Sequence, residues 1–122
     1  MIYSHSDNKG IPLQEKLNKI INKKKGFFIE LGANDGLFQS NTAFFEKELD
    51  WTGILIEPSF KGYELCKINR PNSLCLNNAC VSNDYKKDFI LGNFSNNNPM
   101  ASINGIRNGI RNETNNLIEV KA

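Results

Sequence analysis

Two acidic segments of this chain have the residue types and spacing of a nucleotide-binding site. The heptapeptide at 30–36, Glu-Leu-Gly-Ala-Asn-Asp-Gly, directly follows an apolar run, and Glu57 ends a second apolar run. Gly32 and Gly36 permit a sharp turn and a close approach of a ligand to the backbone. A glycine turn after the first strand is where parallel α/β sheets hold nucleotides, and an acid ending the second strand can accept hydrogen bonds from both ribose hydroxyls. Together these features predict a cofactor site, although each alone also fits an ordinary strand end.

The charges of the turn favour a cationic cofactor. A dinucleotide carries a pyrophosphate, which is normally bound by bare backbone amides, and Glu30 and Asp35 would repel that anion. S-adenosylmethionine has no phosphate and carries a sulfonium and an ammonium group, so the carboxylates and Asn34 suit it better. We therefore expect S-adenosylmethionine rather than NAD as the cofactor.

The apolar periodicity predicts the elements that must position this turn. Strands are expected at 27–31, 53–57 and 73–76, and they are separated by a helix that begins after 40–42 and by a helix over 60–69. An earlier helix is expected over 12–25, because Pro12 opens it and Gly26 follows it. Its apolar face would consist of Leu13, Leu17, Ile20 and Ile21. This βαβαβ order is typical of a parallel sheet with right-handed crossovers.

The C-terminal part of the chain differs in composition. Residues 93–116 are rich in Asn, Gly and Ser, and Asn-Gly-Ile-Arg occurs twice in tandem at 104–111. We expect a flexible, solvated loop there rather than a binding site for an anionic partner. Short strands at 89–91 and 117–120 would form an antiparallel pair. The predicted fold is therefore one α/β domain over 1–122, Rossmann-like, with a βαβαβ parallel core and a C-terminal antiparallel extension.

Composition and charge exclude several classes of function. The chain has 122 residues, 39% of them hydrophobic, and a net charge of +2, which fits one modest domain. The lysines at 23–25 are better explained as the solvated end of a helix than as a nucleic-acid or membrane patch. Because His5 is the only histidine and the three cysteines lack C-x-x-C spacing, no metal site is expected. Reduced cysteines and an N-terminus unlike a signal peptide predict a cytoplasmic protein.

Three segments carry a resemblance to a known family. They are Phe-Ile-Glu-Leu-Gly-Ala-Asn-Asp-Gly at 28–36, Ser-Asn-Thr at 40–42 with Glu46, and Trp-Thr-Gly-Ile-Leu-Ile-Glu-Pro at 51–58. Together they resemble the FkbM family of methyltransferases. Tyr3, Ser4 and His5 are similar to the family's Tyr-Ser-Gln motif, with His5 in place of Gln. The resemblance extends from about Tyr3 to Val81.

The resemblance implies a class I methyltransferase fold, S-adenosylmethionine as methyl donor, and O-methylation of a hydroxyl on a sugar or secondary metabolite. The acceptor would be a small molecule or a glycan. The implied contacts are Glu30, Gly32, Ala33 and Gly36 at the methionine end, Asn41 and Thr42 at the start of the next helix, Glu57 at the ribose, and Asn78 and Ala79 near the adenine. Core packing would explain Ala33 and Ala79 as well as a cofactor contact does, and helix capping would explain Thr42 equally well. Glu46 has no assigned role and could equally be a surface carboxylate.

The resemblance ends where family members continue into a fourth strand with an acidic Asp-x-Glu-Gly segment. Residues 82–122 contain no such segment. We therefore expect an incomplete domain, which would pair with a missing C-terminal half or form a homodimer. One alternative is a non-catalytic remnant that acts as a binding module. A nicotinamide-dependent oxidoreductase is disfavoured by Asp35 and by the absence of a third glycine in the turn.

Overall fold

A parallel sheet organises the N-terminal two thirds of the chain. The computed structural model describes residues 1–94, 106–107, 110–111 and 117–122. Strands β1 (Phe27–Leu31), β2 (Thr52–Ile56) and β3 (Leu74–Leu76) lie side by side in that order, and all are parallel. Leu55 is paired with Glu30 on one side and with Cys75 on the other. The predicted three-stranded parallel sheet is confirmed, and the chain is of mixed α/β class.

Three helices cover one face of this sheet. They are α1 (Leu13–Ile21), α2 (Ala43–Leu49) and α3 (Phe60–Asn69). Phe28 and Leu55, on the inner face of the sheet, pack in one core cluster with residues from all three helices. The helical and loop members of the cluster are Leu17, Ala33, Phe44, Phe45, Leu49, Trp51 and Cys66. No helix within the described residues is long and apolar enough to cross a membrane.

Helix α1 ends four residues earlier than predicted. Asn22 takes a left-handed conformation (φ 41°) and its N–H still bonds to the Asn18 carbonyl, so it caps the helix there. The lysines at 23–25 follow the helix instead of forming its last turn. The predicted apolar face is also largely wrong: Gln14 is buried, whereas Ile20 is 81% exposed.

The C-terminal strands form a sheet of their own. Strand β4 (Phe89–Gly92) pairs with β7 (Ile118–Lys121) in antiparallel register, as predicted, but the pair does not extend the parallel sheet. A second core cluster lies here, formed by Ala79, Ile90, Phe94 and Val120. Two short strands, β5 (Ile106–Arg107) and β6 (Ile110–Arg111), also pair with each other. The rest of the expected flexible loop at 93–116, beyond Phe94 and these strands, lies outside the described residues.

The second face of the parallel sheet is apolar and open. Phe27, Ile29 and Leu31 all point to this face from β1, and each is more than 60% exposed. Leu74 on β3 is also exposed on the same face. Among the described strands, none pairs with the outer edge of β1. The first strand therefore presents an apolar surface next to an edge that no described strand covers.

Candidate functional site

The glycine turn that follows β1 is hydrogen-bonded to the carboxyl end of β2. After β1 ends at Leu31, the N–H groups of Gly32 and Ala33 both donate to the Ile56 carbonyl, at 2.8 and 3.1 Å. Gly32, Asn34 and Gly36 have φ values of 70°, 53° and 83°. These left-handed conformations are most readily adopted by glycine and asparagine. The sequence of the turn thus matches the backbone that it forms.

The two glycines of the turn have different surroundings. A Cβ added at Gly32 would meet nothing within 4 Å, and Gly32 is exposed. A Cβ added at Gly36 would lie 2.7 Å from Cγ of Arg70 and 3.0 Å from Sγ of Cys66. Gly32 therefore leaves open space for a ligand, whereas Gly36 is needed for packing against the end of α3. Ala33 is buried in the core cluster.

Glu57 connects the turn to the start of α3. It is 8% exposed, so it is not a solvent-exposed glutamate at an ordinary strand end. Its Oε2 accepts a hydrogen bond from the Asn34 N–H at 2.6 Å, and its Oε1 accepts one from the Ser59 N–H at 2.8 Å. Ser59 in turn caps α3 by accepting from the Gly62 N–H. The carboxylate predicted to hold a ribose is thus fixed by two backbone amides.

Burial raises the pKa of Glu57 above its ordinary value of 4.5, and the two amide hydrogen bonds only partly oppose this effect. A carboxyl with a raised folded-state pKa contributes stability that is fully present below the unfolded pKa. That contribution is lost as the pH rises through the folded-state pKa. We expect the free energy of unfolding of the wild type, relative to Glu57→Gln, to fall as the pH rises from 4 to 7. Urea denaturation of both proteins across this range measures the difference, and a difference that stays constant or grows with pH would contradict it.

Glu30 is the acceptor of a second cluster of hydrogen bonds. Its carboxylate is buried and accepts from Ser40 Oγ at 2.9 Å, from the Asn41 N–H at 2.8 Å and from Thr42 Oγ1 at 2.6 Å. Residues 40–42 are therefore tied to β1. Helix α2 is capped by Ser40, whose Oγ accepts from the Ala43 N–H. Thr42 makes no capping bond, so capping does not explain its side chain.

A buried ion pair between Arg70 and Glu46 completes this cluster. Arg70 follows α3 and is fully buried, and its Nε donates to Oε2 of Glu46 at 2.7 Å. Glu46 is 3% exposed and also accepts from Ser73 Oγ at 2.6 Å, so the suggestion that it is a surface carboxylate is wrong. Arg70 is not among the residues predicted for the site. Its position at the end of a helix gives no signal of burial, because the partners that bury it lie 24 to 34 residues away.

The remaining predicted site residues have other contacts. Oδ1 of Asp35 accepts from the N–H groups of Leu37 and Phe38, so this carboxylate stabilises the turn itself. Ala79 is buried in the second core cluster, which fits core packing. The asparagine that reaches the end of β2 is Asn77, which precedes the predicted Asn78. Asn77 Nδ2 donates to the carbonyls of Glu57 and Pro58 at 2.9 and 3.0 Å.

The charges around the turn are predominantly negative. Glu30, Glu46 and Glu57 contribute three carboxylates, and Arg70 contributes one guanidinium, whose NH1 lies 3.6 Å from Glu30 Oε2. A site with this excess of buried carboxylate attracts cations and repels phosphate groups. Its polar atoms lie at the carboxyl ends of two adjacent parallel strands, where α/β sheets bind ligands.

Comparison with protein-family models, with curated proteins and with solved structures finds no match to this chain. The likeness to FkbM methyltransferases therefore rests on the motifs themselves.

Proposed function

We propose that this chain is the cofactor-binding part of an S-adenosylmethionine-dependent methyltransferase with a Rossmann-like fold. One observation carries the proposal. The exposed, left-handed backbone of Gly32 directly follows β1, and two buried carboxylates, Glu30 and Glu57, stand at the ends of the adjacent parallel strands β1 and β2. The ligand would bind over Gly32, where a side chain would otherwise occupy the space.

The buried carboxylates support a cationic ligand over a dinucleotide. Glu30 would act on the cationic methionine end, since its charge lies at the carboxyl end of β1 next to the turn. Each oxygen of Glu57 accepts one backbone N–H and keeps a second lone pair, which could accept from a ribose hydroxyl. When bound, S-adenosylmethionine supplies an electrophilic methyl group. The proposed acceptor, a hydroxyl of a sugar or other small molecule, follows from the family resemblance alone.

The free cysteines support a reducing, cytoplasmic location. Cys66, Cys75 and Cys80 are all unpaired, although Sγ of Cys66 and Sγ of Cys75 are 3.5 Å apart. Burial raises the pKa of both Cys66 and Cys75, which keeps them as thiols. Neighbouring thiols that remain reduced fit a compartment in which disulfides are rare.

Replacing Glu57 by Gln tests the proposed ribose contact. We expect binding of S-adenosylhomocysteine to weaken by about 1–3 kcal/mol, because a charge-assisted hydrogen bond to a hydroxyl is lost. Isothermal titration calorimetry measures the change. The matched control is Glu64→Gln, which removes a half-exposed acid on α3 and should leave the affinity unchanged. Equal affinities of the wild type and Glu57→Gln would remove Glu57 from the ribose role.

A non-catalytic binding module is the second candidate. The observation that favours it is that no described strand pairs with the outer edge of β1, where the expected fourth strand of a complete domain would lie. Two experiments distinguish a methyltransferase, a binding module and an oxidoreductase. The first is titration with S-adenosylhomocysteine and NAD, and the second is a methyl-transfer assay with radiolabelled S-adenosylmethionine and a panel of sugars. Binding of S-adenosylhomocysteine without transfer supports the module, and binding of NAD alone supports an oxidoreductase.

A further inference from the structure

We propose that Arg70 is a positioning residue for the cofactor turn: its guanidinium holds the end of the turn and the groups that orient Glu30. The inference rests on the proposed S-adenosylmethionine site and adds a residue that neither the motif nor the family resemblance includes. Arg70 itself would not touch the ligand. It would act through Gly36, Ser40 and Thr42.

The guanidinium contacts three elements at once. Besides the ion pair with Glu46 on α2, NH1 donates to the Gly36 carbonyl at 2.9 Å and to Ser40 Oγ at 3.1 Å. NH2 donates to Thr42 Oγ1 at 3.0 Å. These bonds come from a planar fork whose donors have fixed directions, which a lysine ammonium cannot reproduce. Arg70 thus fixes where the turn ends relative to the segment that begins α2.

The same two hydroxyls connect Arg70 to Glu30. Ser40 Oγ and Thr42 Oγ1 each accept from Arg70 and donate to the Glu30 carboxylate. The guanidinium therefore orients the hydroxyl hydrogens toward Glu30, because it occupies their acceptor sides. Loss of the fork would remove the donor to Thr42 Oγ1 and free this hydroxyl to rotate, whereas Ser40 Oγ would still accept from the Ala43 N–H. The charge environment of Glu30 would change with it.

Glu46 makes this arrangement possible. It neutralises Arg70 at 2.7 Å and is itself held by Ser73 Oγ and by the Asn72 N–H, both adjacent to β3. Because Glu46 is the closer carboxylate to Arg70, the charge of Glu30 is neutralised less than that of Glu46. The contact from Arg70 to Glu30, at 3.6 Å, is the longer of the two ion pairs.

The test separates positioning from general stability by comparing two ligands. S-adenosylhomocysteine would reach the methionine end near Glu30, whereas adenosine would occupy only the side held by Glu57. For Arg70→Lys we expect the affinity for S-adenosylhomocysteine to fall at least about tenfold, and that for adenosine to change less than about twofold. Exchange of the Asn41 amide hydrogen, which is bonded to Glu30, should accelerate in the same variant without ligand.

Two further variants keep the result interpretable. If Arg70→Lys does not fold, the double variant Arg70→Met with Glu46→Gln replaces it, because the partner of the closer ion pair is then neutral and the Glu30 carboxylate keeps its hydrogen bond from the Asn41 N–H. Lys67→Met, one turn earlier on α3 and on the surface, should change neither affinity. Equal losses for both ligands, or no loss in a folded variant, would overturn the positioning role while leaving the site intact. Failure of the wild type to bind either ligand would instead overturn the proposed function and this inference with it.

Discussion

Replacing Gly36 by alanine is expected to reduce the free energy of unfolding by roughly 3 kcal/mol, as the sum of backbone strain at positive φ and overpacking. Gly36 has φ 83°, and the new methyl group would lie 2.7 Å from Arg70 Cγ and 3.0 Å from Cys66 Sγ. Neither neighbour can move freely, since both are fully buried. Urea denaturation measures the loss, and a loss below about 1 kcal/mol would contradict this account of the turn.

Gly32→Ala is the matched control. Its φ of 70° is similar, but the added methyl group would meet open space. The stability loss should therefore be limited to backbone strain, about 1 kcal/mol. The loss of binding free energy for S-adenosylhomocysteine should be larger than this loss of stability, because the methyl group would occupy the proposed ligand space. A Gly32→Ala protein that binds as well as the wild type would show that the ligand does not approach this backbone.

The second large effect is expected for self-association along β1. Ile29 is 62% exposed on the open face of the sheet, next to an edge that no described strand covers. Apolar edge strands pair readily with other chains, so we expect the wild type to form dimers or larger species at micromolar concentration. Ile29→Lys should convert them to monomers, since a charge cannot be buried at such an interface. Sedimentation velocity measures the change.

Ile20→Lys controls for a general effect of charge on solubility. Ile20 is 81% exposed on α1, which packs against the other face of the sheet through Leu17. This variant should associate like the wild type. A monomeric wild type, or equal dissociation in both lysine variants, would rule out β1 as the associating surface.

Strands β1 and β2 and helix α3 could be predicted because their signals are local. Continuous apolar runs define the two strands, and Pro71 follows the last turn of α3 closely. The positions of Glu30, Gly32 and Glu57 could be predicted for a similar reason, since each stands at a strand end that the sequence defines.

The features that could not be predicted depend on contacts distant in sequence. Gln14 is buried because its Oε1 accepts from the N–H groups of Tyr3 and Ser4, while its own N–H donates to Ser4 Oγ. The apolar periodicity of a helix does not predict such hydrogen bonds between a side chain and a distant backbone segment. Likewise, Arg70 at the end of a helix looks like a solvated cation, and its burial depends on partners 24 to 34 residues away.

The two bonds from Gly32 and Ala33 to the Ile56 carbonyl have a consequence for the rate of ligand capture. Together with the bond from the Asn34 N–H to Glu57, they form the turn from the protein's own groups in the free chain. A ligand that binds as proposed would meet a turn that is already formed, and little ordering entropy would oppose binding. Association should be governed by diffusion and charge, without a slow loop-closing step, so that differences in affinity among ligands arise mainly in their rates of dissociation.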